Sequence, residues 1–260
     1  MADRPVPTGY GAFCWSQLNA TDPAACEAFY TKLLGWSAAP ERAGGASLTL
    51  FTRGKDEVAT LLEIPAGTPR ARSHWMSYVW VEDVDASFAR ALSLGAAAFV
   101  PPSPIPGVGR FAVIGDPTGA TLGLYQQNPP ADPSRPLPAG AGTFCWYELA
   151  TRERDAALAF YGALFGWTAQ PMGLASVDYT LLFRGEELMG GLMAISGPEW
   201  EGVPNHWMPY VAVADVDARA AAVPTLGGSG CVPPTDIPDV GRFAVVGDPT
   251  GGVISLLQPL

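Results

Sequence analysis

Large and small residues alternate along Phe13–Leu18 (FCWSQL), the pattern of a half-buried strand, and helical spacing follows, with Ala25, Ala28, Phe29 and Leu33 on one face. Thr21-Asp22-Pro23 supplies a capping side chain and a first-turn proline, and Gly35 suits the left-handed residue that closes a helix. Ser47–Thr52 and Val58–Ile64 read as strands on either side of a turn at Gly54. After a loop containing Pro, Gly and Arg the pattern restarts. Trp75–Val81 is strand-like and Asp83–Leu94 is helical with Gly95 as its cap. A proline-rich loop follows, then a strand at Phe111–Ile114, the turn Asp116-Pro117-Thr118-Gly119 and a last strand at Thr121–Tyr125.

The whole pattern then repeats. His74–Gln126 matches His206–Gln258 at 31 of 53 positions, and GAFCWSQL…AFYTKLLGW at Gly11–Trp36 returns as GTFCWYEL…AFYGALFGW at Gly142–Trp167. A period this long is a duplicated domain rather than a solenoid repeat. Residues 1–126 and 142–260 are therefore expected to be two like domains. The proline-rich segment 127–141 (QNPPADPSRPLPAGA) is expected to be a semi-rigid spacer. Strand, helix, then strands, four times over, predicts an α+β fold with helices outside curved sheets.

Composition narrows the function classes. At 260 residues, 48% of them hydrophobic, each half is long enough for a core of its own. No apolar run approaches the roughly 18 residues of a membrane span. The start MADRPVPTGYG has neither the basic nor the apolar region of a signal peptide, so a cytoplasmic location is expected. Cys14, Cys26, Cys145 and Cys231 form no CxxC pair, as in reduced thiols rather than a disulfide or zinc framework. A net charge of −10 with only two lysines argues against nucleic acid or anionic membrane as partner. A monomer is compatible with two domains in one chain. No P-loop, dinucleotide fingerprint, zincin helix or nucleophile elbow is present.

The order of AFYxxLxGW, then VxDVD, then GRFAVxGDPTG and a final strand, repeated, resembles the vicinal oxygen chelate superfamily of glyoxalase, bleomycin-resistance and extradiol-dioxygenase proteins. The resemblance covers essentially the whole chain and is similar in pattern to actinobacterial two-domain glyoxalase-like members. It implies four βαβββ modules pairing into two cup-shaped domains. It also implies where a metal would be held in metal-dependent relatives, by His, Gln or Glu on the first and last strand of each module. Those positions carry Trp15 and Trp146, Met76 and Met208, and Gly123 and Ser255, with Glu63 the one candidate on the last strand of the first module and Ala194 its counterpart. Tryptophan and methionine do not ligate the hard or borderline ions of this superfamily, so neither metal nor cofactor is expected.

Strand parity gives the expected lining of each cup. In the first copy it is Phe13, Trp15 and Gln17, then His74, Met76, Tyr78 and Trp80, then Thr121, Gly123 and Tyr125. In the second it is Phe144, Trp146 and Glu148, then His206, Met208 and Tyr210, then Val253, Ser255 and Leu257. Filled core packing is the competing reading of the Trp and Met residues. Glu148 stands where the first copy has Gln17, and Glu148 with His206 is expected to be the polar, acid–base centre of the C-terminal cup. Arg110 and Arg242 are expected to pair with the turn residues Asp116 and Asp248.

Three functions fit. The first is metal-free binding of a small apolar or aromatic compound, of a sequestration, resistance or detoxification type. The second is a glyoxalase-like lyase or a dioxygenase- or hydroxylase-type enzyme with a non-standard site around Glu148 and His206. The third is a filled fold acting through its surface. The Trp, Met, Gly and Ser occupancy of the ligand positions favours the first.

Overall fold

The computed structural model of the protein describes residues 9–43, 45–68, 71–128, 138–174 and 177–260. The first half contains β1 (Phe13–Ala20), α1 (Pro23–Leu34), β2 (Ser37–Ala43), β3 (Ala46–Arg53) and β4 (Asp56–Glu63). A second module follows as β5 (His74–Trp80), α2 (Val84–Ser93), β6 (Ala97–Ile105), β7 (Gly109–Gly115) and β8 (Thr121–Gln127). The second half repeats this order with β9 (Phe144–Thr151), α3 (Arg154–Phe165), β10 (Thr168–Leu174), β11 (Val177–Arg184) and β12 (Glu187–Ala194). It ends with β13 (His206–Ala212), α4 (Val216–Ala222), β14 (Ser229–Ile237), β15 (Gly241–Gly247) and β16 (Val253–Pro259). Part of the proline-rich spacer, residues 129–137, lies outside the described residues.

Each half forms one eight-stranded sheet, β2-β3-β4-β1-β5-β8-β7-β6 and its counterpart β10-β11-β12-β9-β13-β16-β15-β14. The two first strands of each half meet antiparallel at the centre, and each is flanked by the parallel last strand of its own module. This is the expected α+β arrangement of four βαβββ modules in two cupped sheets. Three of the four helices start where an aspartate side chain accepts from the backbone N–H three residues on, at Asp22 to Ala25 (3.0 Å), Asp83 to Ala86 (3.0 Å) and Asp215 to Ala218 (2.9 Å), whereas α3 starts at Glu153 without such a bond.

Two expectations need correction. The proline-rich loop before Gly109 is the strand β6, although it contains Pro101, Pro102 and Pro104. It pairs only with β7 and carries two bulges, and an edge strand tolerates proline because one row of its N–H groups faces no partner. Phe13 does not share a face with Trp15. The register slips between these residues, so Phe13 turns out of the cup and stacks on Tyr147 of the other half, with ring centroids 4.0 Å apart, and the equivalent slip turns Phe144 out of the second cup to meet Trp75 at 5.5 Å.

The helical faces of the two sheets are packed together. Two apolar clusters fill this space and each mixes both halves, one joining α1 and Trp75 to Val211, Val216 and Leu256, the other joining α2 and Val79 to α3 and Trp207. Repeat-equivalent groups swap partners across the seam. Trp36 Nε1 donates to the Gly142 carbonyl at 2.7 Å, and Trp167 Nε1 donates to the Gly11 carbonyl at 2.9 Å. Ser16 and Tyr147 are themselves repeat equivalents, and their hydroxyls meet at 3.0 Å, which places them on the pseudo-twofold axis. The chain is thus built as an internally fused isologous dimer. Among the described residues no helix is long and apolar enough to cross a membrane.

Candidate functional site

With the helices between the sheets, the opposite face of each sheet is the cup, and register fixes what lines it. Gln17 pairs with Met76 on one side and Thr60 on the other, while Trp15 pairs with Tyr78 and Tyr78 with Gly123. In the second half Glu148 pairs with Met208 and Gly191, Trp146 with Tyr210, and Tyr210 with Ser255. Directly paired residues share a face, so each cup is floored by two such rows.

The rows relocate one ligand position that the resemblance implies. Gly123 pairs with Tyr78, two residues beyond Met76. The residue standing in the same relation to Trp15 pairs with Gln17, and it is Thr60. Glu63 has the opposite parity and is exposed at the end of β4, so it is not the counterpart. The same rule in the second half gives Gly191 rather than Ala194. The four positions are therefore Trp15, Thr60, Met76 and Gly123 in one cup, and Trp146, Gly191, Met208 and Ser255 in the other. Among the described residues no three His, Cys, Asp or Glu side chains are grouped to hold a metal ion. A catalytic divalent site normally needs three protein ligands of the N, O or thiolate kind, and these donor sets do not fit one.

The cups differ in polar chemistry. In the N-terminal cup Trp15 Nε1 donates to Thr60 Oγ1 at 3.1 Å, and Gln17 Nε2 donates to Asn19 Oδ1 at 2.8 Å. Asn19 Nδ2 lies 3.3 Å from His74 Nε2, whose Nδ1 is 2.9 Å from the Arg72 carbonyl. Exposed His74 is thus held at the strand entrance by backbone. Tyr78 lies flat over Gly123, where a Cβ would sit 2.2 Å from its ring.

The C-terminal cup replaces this neutral chain with a carboxylate. Glu148 is only 8% exposed, and its Oε1 accepts from the Tyr210 hydroxyl at 3.0 Å. The Tyr179 hydroxyl, which accepts from Trp146 Nε1 at 2.9 Å, stands beside the same carboxylate and favours its charged form. Burial raises the Glu148 pKa above the usual carboxylate range, with the two tyrosine hydroxyls pulling it partly back. Both tyrosine hydroxyls are pushed well above their ordinary values, first by burial and then by the neighbouring Glu148 charge. Both stay protonated, and Tyr210 donates to Glu148.

Tyr179 reaches Glu148 by lying over Gly191, where a Cβ would fall 2.1 Å from its hydroxyl oxygen. The first half has Leu48 and Thr60 at these two positions, so ring and glycine changed together. Neither Tyr179 nor Gly191 was among the residues expected from the sequence. Their signal was the difference between the copies at two strand positions whose facing was not yet known.

The expected Glu148–His206 pair is not formed. His206 is opposite Ala150, one step further along the cup face, and its Nδ1 lies 2.8 Å from the Pro204 carbonyl. Its pKa is lowered, because burial disfavours the imidazolium more than that carbonyl favours it. The acid–base partner expected for Glu148 is replaced by two phenols. The arginines differ as well. Arg110 pairs with Asp85 at 2.9 Å, and Arg242 with Asp217 and Asp236 at 2.7 Å each. Asp116 and Asp248 instead bind their own turns and a tyrosine of the opposite half. The Cys26 and Cys145 thiols are pushed up to about 12 by burial, so neither is a nucleophile near neutral pH.

The sequence and the fold match known proteins. Residues 15–124 fit the family model described as a glyoxalase-like domain. The chain is 40% identical over 249 residues to "Putative glyoxylase CFP32" of Mycobacterium tuberculosis, covering 94% of each sequence. It is 30% identical over 263 residues to "Anthracycline biosynthesis protein DnrV" of Streptomyces peucetius, covering 95% of this chain and 93% of that one. Among solved structures, the Mn(II)-bound glyoxalase from Novosphingobium aromaticivorans is similar with a TM-score of 0.65 at 14% identity, over 96% of this chain and 83% of that one. The 2,3-dioxygenase LapB from Pseudomonas sp. KL28 follows at 0.63 and 13% identity, over 96% and 93%, a likeness of fold alone. The protein belongs to the glyoxalase-like proteins of the vicinal oxygen chelate superfamily.

Proposed function

We propose that the protein binds a small, flat, largely apolar organic compound in its C-terminal cup without a metal ion, as a sequestration or detoxification module. One observation carries this reading: the superfamily's ligand positions hold Trp146, Gly191, Met208 and Ser255, an aromatic and soft apolar floor, around a single hydrogen-bonded carboxylate. Such a floor offers stacking and dispersion with a few placed polar groups, the composition of small-molecule sites. The anthracycline biosynthesis relatives support a fused aromatic ligand, since that is the compound class in their names. The N-terminal cup, with Trp15, Gln17, His74, Met76 and Tyr78, would hold a neutral ligand less strongly. The small molecule is the expected partner.

The test is a titration of the protein with an anthracycline, followed by tryptophan fluorescence in wild type, Trp146→Phe and Trp15→Phe. Saturable binding that Trp146→Phe weakens more than Trp15→Phe supports the C-terminal cup. Absence of saturable binding counts against this ligand class, and equal losses count against the choice of cup.

A further inference from the structure

Glu148 is the one buried carboxylate on either cup face, and among the described residues no Lys, Arg or His forms an ion pair with it. The other buried carboxylates, Asp116 and Asp248, face the seam between the sheets and are saturated by donors there. A charge in an apolar cup is costly unless it is paired. The first half avoids that cost with Gln17, so the carboxyl is not needed to build the cup.

Hydrogen-bond direction defines what the site lacks. Trp146 N–H is spent on Tyr179, and the hydroxyl proton of Tyr210 is spent on Glu148. Those two protons are not free for a ligand, whereas lone pairs on Glu148 and on Tyr210 remain open. Ser255, paired with Tyr210 on this floor, is fully buried, and its Oγ has no hydrogen-bond partner among the described residues, so it can give or take one bond. The complement of such a site is a donor bearing positive charge. The rings of Trp146, Tyr179 and Tyr210 around a carboxylate add the negative faces that attract organic cations.

We propose that the C-terminal cup contains a subsite for the ammonium group of its ligand, with Glu148 as counter-charge and Trp146, Tyr179 and Tyr210 around it. The N-terminal cup is not such a subsite. Its equivalents are Gln17, Trp15, Leu48 and Tyr78, which are neutral and lack one ring. This inference rests on the reading of the C-terminal cup as a ligand site and names the charge class that the site selects.

The experiment uses three aromatic probes of similar shape: benzylammonium, benzyl alcohol and ethylbenzene. Each is titrated into full-length protein labelled at the tryptophan indoles, and the Trp146 Nε1–H resonance is followed in wild type, Glu148→Gln and Gln17→Glu. Benzylammonium is expected to shift the Trp146 signal and to bind at least about tenfold more tightly than ethylbenzene, with benzyl alcohol between them. Glu148→Gln should bring the three within about twofold of one another, while Gln17→Glu should leave the Trp146 preference unchanged. Equal or tighter binding of ethylbenzene by the wild type, or a preference that survives in Glu148→Gln, overturns the ammonium subsite and leaves the aromatic cup standing. If none of the three probes moves the Trp146 signal, the subsite and the reading beneath it both fall. The wild-type comparison decides even if a variant fails to fold.

Discussion

Tyr161 in α3 donates its hydroxyl proton to Asp116 in the opposite half at 2.7 Å, and Trp207 Nε1 donates to the same hydroxyl at 2.8 Å. The repeat gives the mirror pair, with Tyr30 donating to Asp248 at 3.0 Å and accepting from Trp75 at 2.9 Å. The motifs that make the sequence recognisable, AFY, HW and GDPTG, thus meet in two equivalent clasps across the seam. Tyr161→Phe leaves a buried carboxylate oxygen and an indole N–H each short of a partner, and should cost about 2–4 kcal/mol. Urea denaturation of Tyr161→Phe, Tyr30→Phe and the double variant checks this, with near-additive losses expected from two separated clasps. Either half expressed alone should fail to give a cooperative folded monomer, since each contributes half of both apolar clusters.

Gly191 and Tyr179 are expected to behave as a coupled pair. Gly191→Thr, which installs the first half's residue, drives a Cβ into the Tyr179 hydroxyl and should cost about 1–3 kcal/mol. Adding Tyr179→Leu restores the first half's pair and should recover a large part of that loss. A double-mutant cycle by thermal or chemical denaturation would read a coupling of about 1 kcal/mol or more. A cycle that closes at zero would mean that the ring has room to move aside.

Much of the fold was legible in the sequence because it is duplicated and because capping, turn and alternation signals agree. The central strands, all four helices and the DPTG turns follow from those signals. The edge strands β2 and β6 do not, since exposure and proline erase the alternation there. Parity placed Trp15, Met76, Trp146, Met208 and Ser255 in the cups, but a one-residue slip beside Cys14 sent Phe13 to the seam. The clasp was invisible, because its partners are between 45 and 218 residues apart and belong to different halves. Glu148 stands out as the charged difference between the copies, whereas its neighbours depend on the register that lays Tyr179 over Gly191 and Tyr210 beside Ser255. In the first half Tyr78 can lie over Gly123 instead, and no carboxylate is there to hold it.

The raised Glu148 pKa fixes how stability depends on pH. The group binds its proton more tightly in the folded chain than in the unfolded one. Its carboxyl is therefore tolerated best below the ordinary carboxylate value, and the fold loses stability as pH rises from there through the folded value. The ionisable groups facing it are Tyr179 from β11 and Tyr210 from β13, both protonated throughout that range. Glu148→Gln cannot ionise. Its melting temperature should gain on wild type as pH rises from 4 to 8, and the two should run closest at the acid end. A difference that is flat with pH would show that Glu148 titrates as in water.

Asp239 carries the one positive φ of a non-glycine residue among the described residues, 60°, where the first half has Gly107 at 78°. An aspartate tolerates this conformation at some cost, which glycine avoids. Asp239→Gly should stabilise the protein by up to about 1 kcal/mol and Gly107→Asp should destabilise it by a similar amount. Differential scanning calorimetry of the two variants checks both signs.

The most direct test of metal-free binding is one titration performed twice. Protein purified without a metal-affinity tag is first assayed for metal content by elemental mass spectrometry. It is then titrated with an anthracycline in the presence of a chelator and again with added Mn(II). The expected result is less than a tenth of an equivalent of any transition metal per chain, and the same saturable affinity in both titrations. A stoichiometric metal in the purified protein, or binding that appears only when Mn(II) is added, would contradict it.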